Sequence, residues 1–351
     1  MACPATGQAT RPVAVLTYII RRVVGAFAML IVISMVTFGI FFVVPQWAGA
    51  TPEAMAARYV GRAATPETVH LVAERLGFND PVVVQYGRFV KGLFAGAQYD
   101  YGAGVEQCPA PCFGYSFISG QPVWPDLVDR MPVTFSLAIG AAVIWVLAGV
   151  SVGVISALRR GSFFDRLSMG TALAGVSLPI FFTGMISLVV FSYGLGWTPP
   201  GGAWTDLAVN PLQWAYNLLL PWITLAFLFA AGYARLTRAG MLETMGEDYI
   251  RTARAKGLRE RQVVVKHGLR AALTPILTLF GIDFGLLVGG AVLTETTYTL
   301  PGLGQFAILA IRNQDLPQVM GVVLIAAGFV VVASLIVDLL YAVVDPRVRL
   351  S

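Results

Sequence analysis

A series of long apolar blocks with almost no charge constrains this chain more than any other feature. The first covers residues 23–44, 22 positions without a charged side chain. A hydrocarbon layer about 30 Å thick is crossed by about 20 apolar residues in a helix. Five more such blocks follow at 133–158, 167–195, 218–234, 273–293 and 320–344, so the pattern predicts six spanning helices. Arg21 and Arg22 before the first block and Ala48-Gly49-Ala50 after it imitate a secretion signal. The apolar part of such a signal is only about 7–15 residues long, so an uncleaved span is expected instead. Pro179, Gly184, Gly281, Gly285 and Gly289 fall inside blocks, which helices packed on other protein tolerate.

Charge then orients the spans, because Lys and Arg accumulate on the cytoplasmic side. With the N-terminus inside, all but seven of the 24 basic residues lie on the cytoplasmic face, and both termini with them. The seven are Arg58, Arg62, Arg75, Arg88, Lys91, Arg130 and Arg312. The net charge of +5 is therefore a signal of topology; no basic domain is present that would hold nucleic acid. Residues 1–44 become a cytoplasmic start and first span, and 45–132 an extracytoplasmic domain. Residues 133–345 form a five-helix core with a cytoplasmic loop at about 235–270, and 346–351 a cytoplasmic tail. Within the outer domain, 66–76 reads as a short amphipathic helix and Asp80-Pro81 as a turn. Trp47, Trp124, Trp197 and Trp214 fall near outer span ends, where an aromatic belt belongs.

Candidate chemistry is sparse. Cys108 and Cys112 bracket Pro-Ala-Pro, and with no other Cys or His nearby they make a poor zinc site. In an oxidising compartment they would pair as a disulfide; otherwise they are two loop thiols. His70 and His267 fall on opposite sides of the membrane, so no metal site is expected. Asp283, inside the fifth block, costs about 2.5–3.5 kcal/mol on insertion scales. It either lines a polar path or forms an interhelical hydrogen bond to a second spanning subunit. Gly281, Gly285 and Gly289 share one helix face, which suits close packing either against a second spanning subunit or within the chain. Asp338 has a structural place near the inner end of the last span beside Arg347, and Glu295 with Pro301-Gly302 shapes an outer turn. Asp283 and Asp338 sit at different depths and lack a Gly-x-Gly-Asp context, which argues against an intramembrane aspartyl protease. No His-Glu-x-x-His occurs, and no Gly-x-Ser-Gly with a membrane histidine.

The cytoplasmic loop carries the most specific stretch, from Gly246 to Leu258. Asp248 is placed as an N-cap and Gly257 as a helix stop, leaving about two turns of helix between them. A helix so short is marginal alone and makes sense when docked. Ala253 and Ala255 allow close approach, Tyr249 and Ile250 offer apolar anchors, and Arg251, Arg254 and Lys256 supply a polar rim around Thr252.

Residues 248–257, with His267-Gly268-Leu269-Arg270 and Pro275, resemble the cytoplasmic EAA loop of ABC importer permeases, in the form of the dipeptide/oligopeptide branch. Arg251-Thr252-Ala253 stands where the family has Glu-Ala-Ala, and Gly257 is the family glycine. The resemblance continues in order through Glu74-Arg75-Leu76-Gly77, Pro81, Gln85-Tyr86, Gly114-Tyr115-Ser116 and Arg130-Met131-Pro132-Val133-Thr134. It then takes in Ser177-Leu178-Pro179, Gly290-Ala291-Val292, Glu295-Thr296, Pro301-Gly302-Leu303-Gly304, Asp338-Leu339-Leu340-Tyr341 and Asp345-Pro346-Arg347. The segment at 98–113 departs from it and reads as an insertion.

The resemblance implies an all-α membrane protein: a type I ABC importer transmembrane domain of six helices, with an extracytoplasmic domain between helices 1 and 2. It further implies a second homologous permease, two ABC ATPase subunits that bind ATP and Mg, an extracytoplasmic substrate-binding protein, and residence in the bacterial inner membrane. This chain would then hold no cofactor and catalyse nothing, since it contains no Gly-x-x-x-x-Gly-Lys-Ser/Thr. Short peptides are the implied cargo; related systems carry nickel complexes or oligosaccharides. A secondary transporter would share the composition but leaves the short loop helix unexplained.

Overall fold

The computed structural model describes residues 11–60, 65–100, 105–116 and 118–344. The chain opens with α1 (Arg11–Phe38), which continues through a π-helical turn (Gly39–Val43) into α2 (Val44–Trp47). The outer segment holds α3 (Pro52–Val60), α4 (Pro66–Arg75) and α5 (Val82–Ala95), then strands β1 (Ala97–Asp100), β2 (Val105–Cys108), β3 (Tyr115–Ser116) and β4 (Gln121–Pro122). Next come α6 (Val123–Leu158), α7 (Phe163–Ser177), α8 (Ile180–Ser187) with a π-helical extension (Leu188–Gly194), and α9 (Pro211–Thr244). On the far side of α9 lie α10 (Asp248–Ala255), α11 (Glu260–Gln262), a π-helical stretch (Val263–Leu269) and α12 (Arg270–Gly290). The described chain closes with α13 (Val292–Thr297), α14 (Leu303–Asn313) and α15 (Leu316–Val344).

Among the described residues, five helices are long and apolar enough to cross a membrane, and α7 with α8 make a sixth span if the bent pair is one. That pair corrects the expectation of a single helix over 167–195. Leu178 is extended (φ −91°, ψ 130°) and the two halves meet at 108°. Pro179 has no N–H to donate and disfavours helical backbone at the residue before it. Elsewhere the helices outrun their apolar blocks. Helix α6 starts at Val123, before its apolar block, and α9 continues to Thr244, well into the expected loop. Arg235 and Arg238 are thus helical: charge marks where a bilayer ends, not where a helix does.

The central packing is α6 against α9. A Cβ on Gly153 would lie 2.5 Å from Thr237 Cβ and 2.7 Å from Ala234 O, and one on Gly149 2.6 Å from Tyr233 Cβ. Only hydrogen at these positions lets the two backbones meet, the role small residues take between membrane helices. Trp145, fully buried, stacks on Phe229 at 4.8 Å between ring centres, and Trp222 Nε1 donates to Ser136 O at 2.8 Å.

The segment between the first span and α6 is built on the end of the first span and the start of the last. Phe38 and Phe42 stack at 4.2 Å and share a core with Met55, Val72, Phe78 and Met320. Thr65 caps α4 by accepting from Thr68 N–H at 3.3 Å. Within the departing segment, β1 and β2 pair antiparallel, in register from Ala97↔Cys108 to Asp100↔Val105. Cys108 and Cys112 are joined as a disulfide, with Cα atoms 5.6 Å apart. Ser116, fully buried, donates to the Asp315 carboxylate and so ties β3 to the start of α15.

Candidate coupling site and membrane acids

Helix α10 is built from both ends as a separate short element. The turn after α9 places Glu247 in extended backbone as the N-cap, so Asp248 is the first helical residue and not the cap. Asp248 instead pairs with Arg251 at 3.4 Å in solvent, while its carbonyl accepts from Thr252 Oγ1 at 3.0 Å. Gly257 is left-handed (φ +74°), its N–H bonding Arg254 O at 2.9 Å and the Leu258 N–H reaching Ala253 O at 3.4 Å. A non-glycine residue would pay a steric penalty there.

The inner face of α10 docks on the chain itself. Ile250 is fully buried, and Ala253 nearly so, in a small cluster with Val263 and Met245. This corrects the sequence expectation that Ile250 and Ala253 face a partner. Arg254 is likewise engaged, in a two-pronged pair with Glu260 at 2.7 and 3.1 Å that closes the turn between α10 and α11. The Glu260 carboxylate pushes the Arg254 guanidinium further up and keeps it charged. What remains outward is Tyr249, nearly half exposed, with Arg251, Thr252, Ala255 and Lys256.

A second tie lies above α10. Arg238 on α9 grips Asp165 on α7 with Nε at 2.7 Å and Nη2 at 2.8 Å, and Gly161 N–H bonds the same carboxylate at 2.9 Å. Asp165 N–H in turn bonds Ser162 Oγ at 3.2 Å. Sequence reasoning missed this clamp, although Ser162-Phe163-Phe164-Asp165 carries the spacing of a capping box.

Within the spans, Asp283 on α12 is half-buried and accepts from Tyr233 Oη on α9 at 3.0 Å. Tyr233 is itself almost wholly buried beside Trp145. The acid that the sequence left open between a polar path and a bond to a second subunit is thus held by a hydroxyl donor of its own chain. Gly281 and Gly285 are both buried; a Cβ on Gly285 would touch Val330 at 3.8 Å and Ala333 at 3.9 Å. At Gly285 the neighbour is therefore α15 of the same chain, at ordinary contact distance. Gly289 is helical, with surroundings outside the described residues, as are the Asp338 side chain and Arg347.

Glu295, read from the sequence as shaping a turn with Pro301-Gly302, is fully buried and accepts from Thr134 Oγ1 at 2.7 Å, Gly304 N at 2.7 Å and Gln305 N at 3.0 Å. It caps α14 from across the chain while Thr134 accepts from Leu303 N at 2.9 Å, binding α6, α13 and α14 together. Its partners are 9 to 161 residues away, so no local pattern announces it.

Two family models match this architecture: the binding-protein-dependent transport system inner membrane component over residues 149–350, and the N-terminal part of such membrane components over 15–138. A putative peptide transport system permease protein of Brucella abortus (strain 2308) is 40% identical over 332 residues, covering 94% of this chain and 98% of the relative. The dipeptide transport system permease protein of Escherichia coli (strain K12) is 35% identical over 356 residues, covering 95% and 99%. A probable peptide ABC transporter permease protein of Sinorhizobium fredii is 36% identical over 333 residues, again covering 95% and 99%.

Proposed function

This chain belongs to the family of binding-protein-dependent transport inner membrane components, and we propose that it is the translocation subunit of an ATP-driven importer of short peptides. Helix α10 carries the reading. It is a short capped helix, fastened by Ile250 and Ala253 to its own chain and presenting Tyr249, Arg251, Thr252, Ala255 and Lys256 outward. A rigidly mounted knob of this kind can pass a partner's movement to the spans behind it, the minimum a two-state switch needs. The partners are two ATPase subunits that bind ATP and Mg, a second homologous permease, and an extracytoplasmic binding protein that supplies cargo. Peptide cargo rests on the relatives, which are peptide and dipeptide transport system permease proteins by name. An orientation with both termini cytoplasmic rests on Arg159, Arg160, Arg238, Arg251 and Lys256, which all fall at the end of the bundle where α6, α9 and α10 meet. Asp283, held by Tyr233, is the acid in this subunit that would meet a peptide's amino group.

The test is co-purification from membranes. ATPase subunits should accompany the wild-type chain in mild detergent and be lost from a Tyr249→Glu, Ala255→Glu variant inserted at normal abundance. Both positions are exposed, so the fold is spared. ATPases that accompany the variant as well as the wild type, or neither, would overturn the coupling role.

A further inference from the structure

Helix α5 carries apolar surface that its own domain does not use. One side packs on the first span: the Tyr86 ring meets Phe38 edge-on at 5.4 Å and the Phe89 ring lies 5.9 Å from it. Tyr86 Oη reaches Ser34 Oγ at 3.4 Å. Ser34 lies thirteen residues before Trp47, about 20 Å of helix, so α5 lies alongside the span and not above its outer end. Around this contact the first span is itself apolar and open, with Val32, Met35, Val36 and Ile40 all more than half exposed.

The other side of α5 is an unpartnered stripe. Val83, Gly87, Val90 and Phe94 recur at the spacing of one helix face. Val83 is 81% and Phe94 75% exposed, fractions that water would penalise along a whole stripe although single exposed apolar residues are ordinary. Exposed Lys91 flanks the stripe, and Arg88 beyond it pairs with Asp80 at 2.5 Å. An apolar stripe bordered by cations, continuous with a lipid-facing span, is the pattern of a helix lying in a membrane interface.

We propose that α5 is an interfacial helix whose Val83–Phe94 stripe is buried in the lipid leaflet beside the outer half of the first span, with Lys91 among the headgroups. The outer segment is then moored to the bilayer as well as to the span ends, and it travels with the first span when that span tilts. In the proposed orientation this is the outer leaflet, but the inference needs neither that orientation nor any cargo.

Single cysteines at positions 83 and 94, in a Cys3→Ser background with Cys108–Cys112 left paired, would carry a nitroxide label. The full chain would be placed in nanodiscs of phosphatidylethanolamine and phosphatidylglycerol. Collision with oxygen and with a water-soluble nickel chelate would be compared with labels at Val36, on the open face of the span, and Glu67, on the exposed side of α4. Labels at 83 and 94 should match position 36, rich in oxygen collisions and protected from nickel several-fold relative to position 67. Nickel access equal to that at 67 would place the stripe in water, and exclusion of both reagents would place it under protein; either overturns the proposal. Should labelling perturb the helix, Phe94→Trp supplies a second reading. Its added fluorescence should be quenched by lipids brominated on the acyl chains, and an unquenched signal would equally sink the idea.

Discussion

At the scale of single residues, two buried carboxylates hold distant segments together. Truncating Glu295 to Ala would leave Thr134 and the amides of Gly304 and Gln305 without their acceptor. Each orphaned buried group costs about 1–3 kcal/mol, so Glu295→Ala should lower thermal stability in detergent far more than Glu295→Gln. Equal melting of the two variants would refute the cap. Asp315 is predicted to make stability depend on pH. Burial, opposed by the bonds from Ser116 and Gln318 N–H, raises its carboxyl above the ordinary 3.8. A carboxyl raised by folding binds its proton more tightly in the folded chain. Its contribution is complete below the ordinary value and is lost as pH rises through the folded one. The melting temperature of the wild type minus that of Asp315→Asn should therefore fall as pH is raised from acid to neutral; a constant difference would exclude the effect.

At the scale of elements, mounting and close approach are the testable features. Ile250→Ala removes the buried anchor of α10, a change worth about 2–5 kcal/mol in a packed core. Limited proteolysis should then cut between 244 and 260 while the spans stay intact. The α6–α9 seam should reject even one added side chain of moderate size. Gly153→Val overlaps Thr237 and Ala234, and overpacking typically costs about 1–3 kcal/mol, so reduced stability and yield are expected from purified protein. Between α12 and α15, a Gly285→Cys, Val330→Cys pair should cross-link within one chain, leaving the apparent mass of a monomer on a non-reducing gel. These features were only partly legible. The two turns of α10 and the stop at Gly257 could be read because glycine acts locally, although the N-cap is Glu247 and not Asp248. Which face of α10 turns inward could not, because Val263 decides it from beyond the turn.

At the scale of the whole molecule, a bundle of long helices carries an acid on a spanning helix, Asp283, bonded by Tyr233. If that acid meets the cargo, Asp283→Asn should cut peptide uptake at unchanged membrane abundance, whereas Tyr233→Phe should have a smaller effect by freeing the acid. Unchanged uptake in Asp283→Asn would leave it a structural bond between α9 and α12. The bend at Pro179 belongs to this scale as well. A proline in a block of apolar residues announces a possible break, but Pro132, Pro221 and Pro275 sit within continuous helices. Local chemistry thus nominates four sites, and only packing selects the one that turns by 108°.

Hydrophobic run length, the placement of Lys and Arg and the stop at Gly257 were enough, on sequence alone, for the membrane class, the approximate positions of the spans and the short helix in the basic loop. Each depends on neighbours in sequence or on transfer of a segment into lipid, which sequence states directly. Tertiary structure decided the rest: the break between α7 and α8, the inward face of α10, the Arg238–Asp165 clamp, the bond on Asp283 and the burial of Glu295. Those features pair residues up to 161 positions apart. A buried polar group is satisfied by whatever donor the fold brings to it, and sequence distance carries no record of that meeting.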